Sequence, residues 1–437
     1  MNNYRCSLCK SFFQITLLQL PIDILVNIFK RLQLSDLFNV ILTCKTLKDL
    51  ILSENTIWRH LFKDRLILHS SNKRTEQLAW SGLCRLSNNW CKGIFRNQVI
   101  AHHRTNYMPW LSFYHSEVLL VSVGSHLHCY PTNVKGMPNG RKICWRLHVP
   151  IKHRHDIRTN DISRFIVRKG QLVCGNRDGG VSIYKYCDIK QEPFLMCHIQ
   201  DCHENGTVEV SAVEMLQNNN TIIVTGSNNS QYLNFWSWQN DIYGSLGYIG
   251  GNIMDIIIND GDGVRCMAVN ESEDKMAIGL NGNSKPLLLD PNTEMFLMTA
   301  ESTKDFRQII RDICWHDENS VLYVTHSGVL ELIDVRSHQT VYTARDPFHS
   351  KLYSLKSDGA NAIVVGSSQY SRCVLYDIRN SSKHVQLYFT SLRPSPVYCL
   401  DFDPTKLIVA ADRLVSVLDF NVSSAIPRKD YSDAFQT

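Results

Sequence analysis

The stretch Leu20 to Phe62, LPIDILVNIFKRLQLSDLFNVILTCKTLKDLILSENTIWRHLF, carries apolar residues at helical spacing between proline and polar boundaries. Pro21 suits a helix first turn, and Ile24, Leu25, Ile28, Phe29 and Leu32 then recur on one face at i, i+3 and i+4. Ser35 is expected to cap a second helix, whose stripe runs Leu37, Val40, Ile41, Cys44, Leu47, Leu50 and Ile51, and Trp58, Leu61 and Phe62 close the unit. Two stripes this wide exceed what so short a hairpin buries on itself, so a partner helix is implied.

Downstream the periodicity changes. Val and Ile runs replace the helical stripes, and a strand-end signal recurs at Tyr130-Pro131, Tyr184-Lys185, Trp236-Ser237, Leu289-Asp290, Ile333-Asp334, Tyr376-Asp377 and Leu418-Asp419. The second members of these pairs are 54, 52, 53, 44, 43 and 42 residues apart, the period of four-stranded propeller blades with insertions in the first three. Small-residue turns precede the marks, as at Asn176-Arg177-Asp178-Gly179-Gly180, and Gly226-Ser227 and Gly366-Ser367 are expected to leave room for the next strand and the neighbouring blade. Too little chain follows Asp419 for an outer strand, so the run Gly93 to Ile100 is expected to supply it and close the ring between the two ends of the domain.

The pattern Leu20-Pro21, Leu25, Ile28-Phe29, Leu32, Ser35-Asp36-Leu37, Cys44 and Trp58 resembles the F-box, although Thr43 and Leu47 stand where family members usually carry valine and tryptophan. The β part resembles the WD repeat, with most name-giving Trp-Asp pairs lost and only His203, His349 and Asp178 matching the family's hydrogen-bonded blade residues. The whole is similar to F-box/WD-repeat proteins. Asn89-Trp90 with Gly93, Tyr107 to Trp110, Ser367 to Tyr370 and Ser395 to Leu400 make the dactylin type of that family the nearest. The expected fold is a small all-α F-box module followed by an all-β seven-bladed WD-repeat propeller. Its expected bounds are an N-terminal extension over residues 1–19, the F-box over 20–65, a helical connector over 66–92, the propeller over 93–422 and a flexible tail over 423–437.

The resemblance implies the substrate-recognition subunit of a Skp–cullin–F-box ubiquitin ligase, with Skp docking on Leu20, Pro21, Ile24, Leu25, Ile28, Phe29 and Leu37. Cullin and RING subunits would join through Skp, and the propeller would hold a protein substrate. The basic group Arg141, Lys142, Arg146, Lys152, Arg154 and Arg158 is a candidate for acidic or phosphorylated segments, against the plainer reading of a solvated insertion loop. Two other classes stay open. Asp-x-Arg at Asp334 to Arg336 and Asp377 to Arg379 resembles the signature of propellers that bind the damaged-DNA-binding adaptor of a cullin-4-type ligase, with Arg336 and Arg379 as contacts. A non-degradative interaction scaffold is the other.

Composition bounds the remainder. A chain of 437 residues with 44% hydrophobic content suits one small domain plus one large one. The net charge of +5 is concentrated in a basic region over residues 91–190, without the runs that nucleic acid calls for, and no segment is apolar and long enough to suggest a membrane span. The 15 cysteines lack a secretory context, which points to reduced thiols and an intracellular protein of cytoplasm or nucleus. Cys6 and Cys9 form a lone C-x-x-C, His102-His103 and His153-x-His155 read as loop histidines, and Asp260 and Asp262 read as turn residues. No nucleophile elbow, phosphate loop or metalloprotease motif is present, so the chain is expected to be no enzyme, with no cofactor and no metal.

Overall fold

The computed structural model describes residues 17–69, 78–103, 107–152, 161–217, 221–239, 248–258, 263–298 and 309–422. The chain divides into two compact units, residues 1–67 with 78–85, and residues 68–77 with 86–437. Cys6, Cys9, His153, His155, Arg154, Arg158, Asp260, Asp262 and the tail over 423–437 lie outside the described residues.

The first unit is helical: α1 (Ile22–Phe29), α2 (Leu34–Ile41), α3 (Lys45–Ser53), α4 (Asn55–Leu61) and the beginning of α5 (Trp80–Lys92). Pro21 stands just ahead of α1, where its missing N–H costs nothing and its carbonyl accepts from the amides of Ile24 and Leu25 at 3.0 and 3.2 Å. The single second helix expected from the sequence is two helices. Thr43 turns its hydroxyl onto the Val40 carbonyl at 2.7 Å, and Cys44 takes an extended backbone with φ −153° before α3 begins. Nor does Ser35 cap α2: Gln33 stands at that position without a side-chain bond, and Ser35 lies one residue inside the helix. The cap realised by a side chain is Glu54, whose carboxylate accepts from the Thr56 amide at 3.1 Å and is held below the usual carboxylate range by the Thr56 side chain and then by that amide. Leu25, Val26, Phe29, Leu37, Leu47, Ile51, Ile57, Trp58 and Phe62 form the core, and the Trp58 indole donates to the Ile51 carbonyl at 2.7 Å.

The second unit is a ring of seven four-stranded antiparallel sheets. The inner strands are Leu111–Tyr114, Ile162–Arg168, Ala212–Leu216, Val264–Val269, Ile310–Asp317, Leu352–Ser357 and Val397–Asp403, for blades one to seven in order. Blade seven takes its outer strand, Arg96–His102, from the start of the unit; it pairs antiparallel with Leu414–Asp419, and Arg96 bonds Asp419 at 3.0 Å. Closure through one strand borrowed from the other end removes the open edge at the junction. Six of the seven marks read from the sequence end the third strand of a blade, while Trp236-Ser237 falls within Tyr232–Gln239. Their aspartates explain the recurrence. Asp290, Asp334, Asp377 and Asp419 each accept, at 2.8 to 3.1 Å, from the amide two residues on, which folds the chain off the strand.

Blades meet through side chains that reach from one sheet to the next. A Cβ on Gly226 would come within 2.6 Å of Val264 in the following blade, and one on Gly366 within 2.5 Å of Val397, so both places require glycine. His349, read as a blade-bonding residue, is exposed in a left-handed turn; the fully buried Asp346–Arg372 ion pair at 2.6 Å holds that position instead.

His203 makes stability pH-dependent. It is buried, neither ring nitrogen has a hydrogen-bond partner, and burial, only partly offset by Asp255, pushes its pKa down to about 4. An unfolded histidine titrates near 6.5, so between those values the unfolded chain binds more protons and stability rises with pH. The contribution is fully present above about pH 6.5 and is lost as pH falls toward about 4, roughly 2 kcal/mol of it by pH 5. Thermal melts at pH 7 and 5 are expected to show this fall, and His203→Asn to make it shallower; equal slopes would contradict it.

Candidate functional site

Two features have the chemistry of binding sites, one in each unit. In the helical unit the apolar stripe of α1 divides in two. Leu25, Phe29 and, from α2, Leu37 are 4%, 1% and 0% exposed, committed to the unit's own core. Ile24 and Ile28 lie on the other side, 47% and 37% exposed, and Leu17, Leu18, Ile22, Phe38 and Leu42 are exposed as well. Leu20 and Leu32 are half-buried against the core, and Pro21 is exposed. So many large apolar groups uncovered on so small a unit is the pattern of a docking surface.

In the propeller the corresponding feature is the mouth of the central channel, at the end where inner strands begin and second strands finish. Pairing skips one residue near the start of five inner strands: Ser163, Arg265, Arg311, Tyr353 and Tyr398. Such a bulge re-aims a side chain out of the sheet's alternation, and all five line one cavity of about 80 Å³ with Trp110, Arg164, Arg177, Glu209 and Asn228. The sequence signal was an aliphatic residue, then the bulged one, then a small or acidic one, as in Val264-Arg265-Cys266, Ile310-Arg311-Asp312 and Val397-Tyr398-Cys399. Sequence reasoning passed over it.

The mouth is cationic. Arg164 lies 3.9 Å over the Trp110 ring and bonds Asp312 at 3.3 Å; Arg311 lies 4.9 Å over Tyr353 and donates to Nδ1 of His326 at 2.7 and 3.0 Å. Burial, then the charges of Arg311, Lys351 and Arg265, drive the His326 pKa down to about 4 and keep the ring neutral. Arg177 bonds Glu209 at 3.4 Å and reaches the Met108 sulfur at 3.1 Å. Arg265 makes no hydrogen bond or ion pair with any described residue, and burial, then Arg311, lowers its pKa to about 10, so it stays charged at neutral pH. Four guanidiniums thus face two carboxylates, Glu209 and Asp312. The arrangement attracts an anionic group and repels a cationic one.

The basic group picked out from the sequence is elsewhere. Arg141 and Lys142 are exposed in the turn before the outer strand of blade one, Arg146 is exposed on that strand, and Lys152 is committed to Asp201 at 2.9 Å. Arg336 and Arg379 are exposed, and each grips its own blade's aspartate through two nitrogens, at 2.8 and 3.1 Å for Asp334 and 2.6 and 2.9 Å for Asp377. The grip of Arg336 holds the Asp334 carboxyl down at about 2. These are local strand-end clamps, screened by solvent, so Arg336→Glu with Arg379→Glu is expected to leave the thermal midpoint unchanged; a clear drop in a melting curve would contradict that. Among the described residues no group of three or more His, Cys, Asp or Glu is placed to hold a metal ion, and no helix is long and apolar enough to cross a membrane.

Comparison with known proteins adds to this geometry. Residues 17–64 match the F-box-like family. Along its length the chain is similar to F-box/WD repeat-containing protein 4 of Mus musculus, 23% identical over 417 residues, which are 92% of this chain and 93% of that one. It is similar to the Homo sapiens protein of the same name, 22% identical over 415 residues and 92% of each chain. An F-box-like segment followed by a seven-bladed propeller is the general architecture of F-box/WD-repeat proteins.

Proposed function

We propose that this chain, built on the general F-box/WD-repeat plan, is the substrate-recognition subunit of a Skp–cullin–F-box ubiquitin ligase, of the dactylin type. The observation that carries the reading is an F-box-like module whose Ile24 and Ile28 stay uncovered while Leu25, Phe29 and Leu37 hold the fold from within. A Skp-type adaptor covers that face, with Pro21, Ile24 and Ile28 in contact and the buried residues positioning them. Apolar anchors of this kind, desolvated in a partner's groove, supply most of the binding energy.

The propeller mouth takes an acidic or phosphorylated segment of the substrate protein, with Arg265, which makes no hydrogen bond or ion pair with any described residue, as the receiving guanidinium and Arg311 beside it. The ubiquitin chemistry belongs to the cullin and RING partners. This chain's contribution is to carry adaptor and substrate on one polypeptide, so that their encounter is intramolecular and the effective concentration of substrate lysines rises without a catalytic group here. The thirteen cysteines among the described residues are all outside any disulfide, which suits the reducing cytoplasm or nucleus where such ligases work.

The test is size-exclusion chromatography of the full chain with purified Skp adaptor. Co-elution is expected, and separate elution would remove the ligase reading.

A further inference from the structure

Of the two carboxylates bonded to the mouth's arginines, Glu209 is the one that lines the cavity itself. Glu209 is on the loop that enters the inner strand of blade three; its carboxylate bonds Arg177 at 3.4 Å and accepts from the side-chain amide of Asn228. Both partners come from turns that follow second strands, Arg177 after Gln171–Asn176 and Asn228 after Thr221–Gly226, so two neighbouring blades hold the acid in place. The carboxylate is only 23% exposed on its side chain, too enclosed to be a solvated surface charge. The Glu209 charge is felt by Arg265 as well, but no described residue makes a hydrogen bond or ion pair with Arg265, whereas Arg177 is held in contact.

We infer that Glu209 is a specificity-determining residue: it acts as a built-in counter-anion on the Arg177 side, so that the mouth admits one anionic side chain, seated on Arg265, and rejects a second. The inference rests on the reading of the mouth as a substrate site and adds to it a limit on charge. The physical basis is like-charge exclusion. An incoming anion near Arg177 meets a carboxylate already hydrogen-bonded in a partly desolvated pit, whereas one near Arg265 gains a guanidinium that no described residue pairs in contact and that only the more distant charge of Glu209 offsets.

Two synthetic phosphoserine peptides in an otherwise uncharged sequence serve as probes of the full chain, one with a single phosphate and one with two phosphates three residues apart. The native chain is expected to bind both with the same affinity. Glu209→Gln keeps an oxygen for Asn228 and removes the charge; it is expected to raise affinity for the doubly phosphorylated peptide about tenfold, the scale of one screened charge pair, and to leave the single one within about threefold. Arg265→Gln is expected to weaken both peptides about tenfold in either background. A native chain that already prefers two phosphates tenfold, or a Glu209→Gln chain with an unchanged ratio, overturns the role of Glu209 while leaving the mouth as a binding site. If neither peptide binds either chain, the mouth is no acidic-segment site and the inference falls with it, whereas the adaptor reading is judged separately by co-elution. Unaltered melting curves for the variants show that the changes are in binding and not in folding.

Discussion

Trp90→Ala is expected to destabilise the β unit by about 3–5 kcal/mol, near the upper end of what one core truncation does. Trp90 is fully buried; its ring stacks on Phe420 at 3.8 Å and meets Tyr388 and Phe402 edge-on at 5.5 and 5.9 Å. Its indole N–H donates to the Pro404 carbonyl at 2.9 Å, and its own carbonyl accepts from the Tyr388 hydroxyl at 2.8 Å. These partners come from blades six and seven, so the indole fills the wedge where the last two blades diverge. Beside it Asn89 donates to the carbonyls of Phe420 and Val422 at 2.8 and 3.0 Å, which fixes the end of the ring's last strand to its beginning. Gly93 makes the turn possible: its φ of +61° ends α5 and releases the chain into the closing strand. Urea unfolding followed by circular dichroism measures the loss. Trp90→Phe keeps most of the stack and gives up the hydrogen bond, so it is expected to cost about 1–3 kcal/mol. An alanine variant within about 1 kcal/mol of the native chain would mean that the wedge closes without the indole.

That Gly93 stands out in the sequence, and that six of the seven marks do, has one physical cause. Each is a place where the chain must stop one element and turn, and turning needs particular residue types: aspartates that accept from the amide two residues on, or glycine for a positive φ. What depends on register was less legible. The apolar stripe from Val40 and Ile41 through Cys44 to Leu47 keeps helical spacing across the break between α2 and α3, so periodicity alone does not reveal the turn at Thr43. The mouth arginines are hidden for a related reason. In regular alternation Arg265 and Arg311 read as ordinary strand residues, and only the repeated bulge turns them into the channel. The basic residues that stood out as a group, among them Arg141, Lys142 and Arg146, are exposed at or just before the outer strand of blade one, because proximity in sequence does not gather charge where the chain runs extended.

Ile24→Asp with Ile28→Asp is expected to abolish Skp binding, weakening it by at least about 100-fold, while leaving the helical unit folded. The two positions are one helical turn apart on α1 and partly exposed, so each aspartate remains hydrated in the free protein. In the complex each would be a charge without a partner in a dry apolar groove, and the cost falls on association. Leu25, one residue from Ile24, gives the contrast. It is 4% exposed and packed in the core with Phe29 and Trp58, so Leu25→Asp buries an unpaired charge and is expected to unfold a module this small. Loss of adaptor binding in that variant would therefore say nothing about contact. The informative result is loss of co-elution in the Ile24, Ile28 double variant with its circular dichroism spectrum and melting curve unchanged. A folded double variant that still carries Skp would move the docking surface off α1, to the other uncovered residues Phe38 and Leu42 of the α2 end.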